Sequence, residues 1–156
     1  MTTSWVCVDA NLVIKLVVEE AYSHEARVLW RTWQSNNYKI SAPPLLRYEI
    51  ISVLRKHVTQ GFRSLQESRQ ALQLALAFNI QYLEPFDFHL RAFELADRLG
   101  RPVAYDTHYL ALAEHLGCEF WTADERLTNA VQITLPWVKW LGQTSEEYKA
   151  DNTMIG

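Results

Sequence analysis

The stretch Trp5-Val6-Cys7-Val8-Asp9-Ala10-Asn11 decides how the chain folds. Trp5 to Val8 is an unbroken apolar run, too short for a helix and closed by an acid, which is how a buried strand reads. The strand is assigned to Trp5 through Asp9, and a short helix follows from Asn11. A buried strand that hands the chain straight to a helix is the first step of an alternating β/α fold.

The alternation continues outward from there. A second helix spans Ser23 to Ser35, with Ser23 as its cap, and Lys39 to Ala42 reads as a second strand. Pro43-Pro44 opens a helix that runs to Gln60 and stops at Gly61, proline at the start and glycine past the end being what helix termini favour. Ser64-Leu65-Gln66-Glu67 is a capping-box pattern that opens a helix to Phe78. Ile80 to Leu83 is a third strand, and a helix from Phe86 to Leu99 is stopped by Gly100 and Pro102. Asp106 caps a helix through Leu116, Gly117 ends it, Cys118 to Thr122 is a fourth strand, and Val138 to Leu141 is a short fifth. Such an order implies an α/β fold, with a mostly parallel sheet of four or five strands and helices on both faces. Ligands in such sheets bind beyond the carboxyl ends of the strands.

Composition narrows the class. The chain has 156 residues, 49% of them hydrophobic, which suits one packed domain and excludes a disordered chain. Residues 1–141 read as that domain and 142–156 as a tail. No apolar run approaches the roughly 18 residues of a membrane span. Met1 to Trp5 shows no basic segment leading into an apolar one, so a cytoplasmic protein is expected. Cys7 and Cys118 are expected as reduced thiols in buried strands, since two cysteines make no disulfide framework. The net charge of −3 points to no polyelectrolyte partner, although local charge outweighs the total. The five histidines show no zinc spacing, and no Gly-rich phosphate loop or G-x-S-x-G is present.

Four acids stand where a solvated charge is not expected. Asp9 and Asp124 follow apolar strands, Asp106 opens a helix, and Glu49 lies within Leu45-Leu46-Arg47-Tyr48-Glu49-Ile50-Ile51. Each aspartate read alone is explained as a helix cap, accepting from free backbone N–H groups. Glu49 is not. At 100° per residue, Leu46, Ile50, Val53 and Leu54 form the buried stripe of its helix, and Glu49 sits on the shoulder of that stripe. A carboxylate there needs a partner: a neighbouring arginine, or a metal ion shared with the other three acids.

The segments around these acids resemble the four motifs of PIN-domain ribonucleases, and more narrowly the VapC-type toxins of toxin–antitoxin pairs. They are Val8-Asp9-Ala10-Asn11, Pro44-Leu45-Leu46-Arg47-Tyr48-Glu49, Tyr105-Asp106-Thr107-His108-Tyr109-Leu110-Ala111-Leu112-Ala113, and Thr122-Ala123-Asp124-Glu125-Arg126-Leu127. The resemblance runs from the first strand to about Trp140. It implies a three-layer α/β/α sandwich and a Mg²⁺- or Mn²⁺-dependent endoribonuclease that cleaves structured RNA (tRNA or rRNA) by water attack. The family's acidic positions fall on Asp9, Glu49, Asp106 and Asp124. The three aspartates would bind metal, and Glu49 would position water. Thr122 and Asn11 match supporting polar positions. The resemblance also implies an antitoxin partner, whose segment fills a groove on the early helices, and a homodimer.

Lys15, Arg126 and His108 are candidates for substrate contact, against the plainer reading as surface charges. Trp30 and Trp33, three apart on one helix, are core packing or part of the groove. Two further readings keep the fold: an RNA-processing nuclease without an antitoxin, and a non-catalytic interaction module. A phosphotransfer enzyme with Asp9 as nucleophile needs a second aspartate two residues on, where Asn11 stands.

Overall fold

The computed structural model describes residues 4–144, and the elements below lie within them. In chain order they are β1 (Trp5–Val8), α1 (Ala10–Val17), α2 (Ser23–Ser35), β2 (Lys39–Ala42), α3 (Leu45–Thr59) and α4 (Leu65–Ala77). There follow β3 (Ile80–Tyr82), α5 (Phe88–Arg98), α6 (Tyr105–Leu116), β4 (Glu119–Thr122), α7 (Glu125–Val131) and β5 (Val138–Trp140). Most of the tail assigned to residues 142–156 lies outside the described residues.

The strands form one sheet in the order β3-β2-β1-β4-β5, and every neighbouring pair is parallel. β1 lies at the centre, with Cys7 opposite Ser41 on one side and Phe120 on the other. Val6, Cys7 and Val8 are buried, as a strand covered on both faces must be. From β1 the chain moves one way through β2 to β3, then crosses back to β4 on the far side. Right-handed crossovers place the helices of these two excursions on opposite faces. The packing agrees: α1 lies against α2, α3 and α4, while α5 lies against α6. The result is the parallel sheet with helices on both faces expected from the alternation, and the three-layer α/β/α sandwich that the resemblance implies.

The reversal of direction occurs between β1 and β4, so the chain leaves these neighbours toward opposite sides. A crevice opens beyond their carboxyl ends. Helices that return the chain to the next parallel strand begin at this same edge, which brings the first turns of α3 and α6 beside it.

Local chemistry sets the helix limits. Ser64 accepts from the Glu67 N–H at 3.0 Å to start α4. Gly117, at φ +63°, takes the left-handed turn that ends α6. On α3, Leu46, Ile50 and Leu54 are buried at successive turns, as the periodicity requires.

Four expectations need correction. Asp106 does not cap α6; Ala104 holds the cap position, and Asp106 lies in the first turn. α7 was not assigned as an element, although Asp124 was read as a cap, because seven residues are too few for an apolar period to declare itself. α5 begins at Phe88 and not Phe86, since Asp87 at φ +62° breaks the helical path. Cys118 sits one residue before β4 and is half-buried, whereas Cys7 is fully buried; their sulfurs are 3.7 Å apart. Trp30 and Trp33 are core residues, with Trp30 against Phe78 and Trp33 against Trp121. Among the described residues no helix is long and apolar enough to cross a membrane.

A candidate carboxylate centre at the switch point

Asp9 is both a helix cap and a site residue. Its Oδ1 accepts from the Leu12 N–H at 2.9 Å, which starts α1. Its Oδ2 accepts from the Thr122 hydroxyl at 2.5 Å, across the β1–β4 seam. Asp124 repeats the arrangement on the neighbouring strand. Its Oδ1 accepts from the Leu127 N–H at 3.1 Å to start α7, and its own N–H donates to Thr122 Oγ1 at 2.9 Å. Thr122 is therefore the hinge of the pair, donating to one aspartate and accepting from the other. The cap and site readings of these residues are compatible because a carboxylate has two oxygens, and capping uses one.

Glu49 comes in from the α3 side and Asp106 from α6. Glu49 Oε1 accepts from the Tyr109 hydroxyl at 2.6 Å, so its partner is a phenol and not an arginine. Tyr109 follows Asp106 by three residues, which puts both on one face of α6. The Tyr109 ring packs against Phe120 at 5.5 Å between centroids, and this contact seats the hydroxyl. Asp106 meets Arg101 Nη2 at 3.3 Å in a partly exposed pair, an interaction of small energetic weight.

Asp9, Asn11, Glu49, Asp106, Thr122 and Asp124 line a single cavity of about 40 Å³. Two of the carboxyl groups there, Asp9 and Glu49, are held against their ordinary tendency to ionise. Burial pushes Asp9 up to about 6; the Thr122 and Leu12 hydrogen bonds work against this, and the charge of Glu49 adds to it. Glu49 is also raised, chiefly by burial and then by the charge of Asp106, with the Tyr109 hydrogen bond opposing. The Tyr109 hydroxyl is raised well above the phenol range by burial and by Glu49, so it stays protonated and donates to Glu49.

The remaining candidates lie elsewhere. The Lys15 ammonium is bound to Glu20 at 2.9 Å. His108 directs one ring nitrogen to the Ala104 carbonyl and the other to His89. Arg126 is exposed on α7. None of the three is among the residues lining the cavity. Tyr109 is the site residue that sequence reasoning passed over as a helix position. Its spacing of three from Asp106 was the available signal.

Among the described residues no three His, Cys, Asp or Glu side chains close tightly enough to cage an ion by themselves. The donor set still fits a hard cation. Its donors are all oxygens, and 40 Å³ has room for a water-sized species or two between them. Mg²⁺ takes one or two protein carboxylates directly and keeps several waters. A loose ring of acids with space for water is the arrangement that preference calls for. Sites of this kind neutralise phosphate charge and lower the pKa of a bound water.

The PIN domain family matches residues 6–132. A VapC ribonuclease of Mycobacterium bovis and ribonuclease VapC9 of Mycobacterium tuberculosis are each 32% identical to this chain over 98 residues, which is 63% of this chain and 75% of theirs.

Proposed function

The chain belongs to the PIN-domain family, in its VapC-type branch, and from that premise we propose that it is a metal-dependent endoribonuclease toxin neutralised by a cognate antitoxin. The observation that carries the reading is the meeting of four carboxylates from four distant segments in one cavity at the switch point. A phosphodiester carries negative charge, and four acids alone would repel it. The site suits RNA only with a divalent cation present.

Asp9, Asp106 and Asp124 would hold Mg²⁺ or Mn²⁺, and Asn11 borders the same space. When bound there, the ion supplies charge neutralisation at the phosphate and a more acidic water. The remaining work belongs to the protein. Thr122 fixes the orientation of Asp9 and couples it to the Asp124 backbone, so the two strand ends move as one. Tyr109 keeps the proton on its own oxygen and holds Glu49 Oε1. Oε2 is left to orient the attacking water and receive its proton. The raised affinity of Glu49 for a proton suits that task. Arg126, exposed on α7 two residues after Asp124, would meet a backbone phosphate, while Lys15 is paired with Glu20. The substrate is structured RNA (tRNA or rRNA), the working form a homodimer in the cytoplasm, and residues 142–156 a tail outside the catalytic domain.

The purified chain, free of any partner, is expected to cut total tRNA or rRNA with Mg²⁺ or Mn²⁺ and to stop with EDTA. If Asp9→Asn cut as well as the wild type, the assignment would fall.

A further inference from the structure

The acid cavity has room for water-sized species and none for a nucleobase. The bases flanking the scissile phosphate must lie outside it. A groove of about 480 Å³ adjoins it, between the first turn of α3, the β3–α5 connection and the first turn of α6. That volume is in the range of small-ligand sites, roughly 300–1,000 Å³. The groove and the cavity draw on consecutive residues of the same two helices. Tyr48 lines the groove and Glu49, the next residue, lines the cavity; Tyr105 and Asp106 repeat the relation on α6.

Tyr48 is 69% exposed and Tyr105 63%. Pro43, Pro44 and the buried Phe88 line the groove with them. With both rings neutral, a histidine pair gives the polar edge of the groove a definite sense. His108 Nδ1 lies 2.5 Å from the Ala104 carbonyl oxygen, which has no proton, so Nδ1 carries one. In the neutral ring His108 Nε2 is then an acceptor, and His89 Nδ1, 3.0 Å away, donates to it. That leaves His89 Nε2 as an acceptor, 3.8 Å from the Glu84 carboxylate. The groove thus offers exposed aromatic faces together with two neighbouring acceptors.

We propose that this groove takes an unstacked nucleobase of the RNA next to the scissile phosphate, with Tyr48 and Tyr105 as stacking faces and His89 and Glu84 accepting from its edge. It rests on the nuclease reading of the adjoining acids. RNA-binding proteins read splayed-out bases in this way, by aromatic stacking and by hydrogen bonds to the base edge. Two acceptors favour a base with an amino group, so adenine, cytosine and guanine are preferred to uracil. Its lining by residues consecutive with those of the acid cavity distinguishes an RNA subsite from a free apolar face.

The test uses RNA that the purified chain cuts in Mn²⁺, shortened to an oligonucleotide across the mapped cut. Tyr48→Ala and Tyr105→Ala are expected to raise KM by roughly 5- to 100-fold, the effect of losing a base–aromatic stack, with kcat changed little. Tyr48→Phe and Tyr105→Phe restore it, and thermal unfolding of all four variants matches the wild type. An abasic nucleotide beside the cut reproduces the loss in the wild type and adds nothing to it in the alanine variants. Uridine at that position raises KM relative to adenosine. Wild-type KM in both alanine variants, full additivity with the abasic substrate, or an effect confined to the monomer–dimer equilibrium by light scattering would each overturn the proposal. A wild type that cuts no RNA would instead overturn the nuclease reading itself, so the two failures are distinct.

Discussion

The two ends of β1 and β4 carry opposite chemistry. At their amino ends a cavity of about 580 Å³ is lined by Trp5, Tyr38, Cys118 and Trp137, with Glu114 and Glu119 exposed at its margin. At their carboxyl ends a far smaller space of about 40 Å³ is ringed by four carboxylates, with Asp9 buried. Room alone therefore does not mark the site. The amino edge mixes apolar and polar surface, and its two acids, Glu114 and Glu119, are exposed. The carboxyl edge holds an aspartate whose ionisation the surroundings oppose, fixed by a threonine bonded to both strand ends. Unfavourable burial retained in this way marks a candidate functional site.

That contrast breaks first at the acids. Asp9→Asn or Asp106→Asn is expected to lower RNA cleavage by about a thousandfold or more, the scale of losing metal-assisted charge stabilisation, in a single-turnover assay with Mn²⁺. Parity with the wild type would erase the distinction between the edges.

The next effect concerns stability and runs the other way. The Asp9 carboxyl ionises near pH 6 in the fold, against 3.8 when solvated. Its contribution to stability is fully present below pH 3.8 and is lost as pH rises through 6. The loss amounts to about 3 kcal/mol, roughly a hundredfold in the folding constant. In metal-free buffer Asp9→Asn should be more stable than the wild type above pH 7, by up to that amount, and should show no such gain near pH 4. Urea unfolding at the two pH values measures this. A divalent cation should narrow the gap at pH 7 by stabilising the wild type alone.

A third prediction isolates Thr122. Thr122→Val keeps the shape and removes the hydroxyl that joins Asp9 to the Asp124 backbone. Cleavage is expected to fall about 10- to 100-fold, the usual effect of removing a group that orients a metal ligand, with part of the loss recovered at high Mn²⁺. The smallest effect belongs to the opposite edge. Cys118→Ala should leave cleavage within about twofold of wild type, since separated sites act independently. A larger loss would show that the amino edge takes part.

Much of this was legible in the sequence, for reasons that differ from residue to residue. β1 declared itself because a central strand is apolar throughout, and Glu49 because a charge interrupts the α3 stripe. Asp9 and Asp124 were ambiguous because the same carboxylate caps a helix with one oxygen and faces the cavity with the other. No local pattern could reveal the Thr122–Asp9 bond, which spans 113 positions, or the order that puts β1 between β2 and β4. Those depend on which strands meet, and strand adjacency is a long-range property. Tyr109 was hidden for another reason: a tyrosine on the buried face of a helix looks like packing until its hydroxyl is seen to hold a glutamate. Asp106 was misread as a cap because the sequence before it, Pro102-Val103-Ala104-Tyr105, does not show where the first turn begins.

The claim that the carboxylates direct water at phosphorus is tested most directly by the chemistry of the RNA ends. Cleavage is run in ¹⁸O-labelled water with Mn²⁺, and the products are read by mass spectrometry. The result expected is one ¹⁸O in the new terminal phosphate, no 2′,3′-cyclic phosphate at any time, and no products in EDTA. A cyclic phosphate would make the RNA's own 2′-hydroxyl the nucleophile and contradict the roles given to Glu49 and the three aspartates, as would cutting that persists undiminished in EDTA.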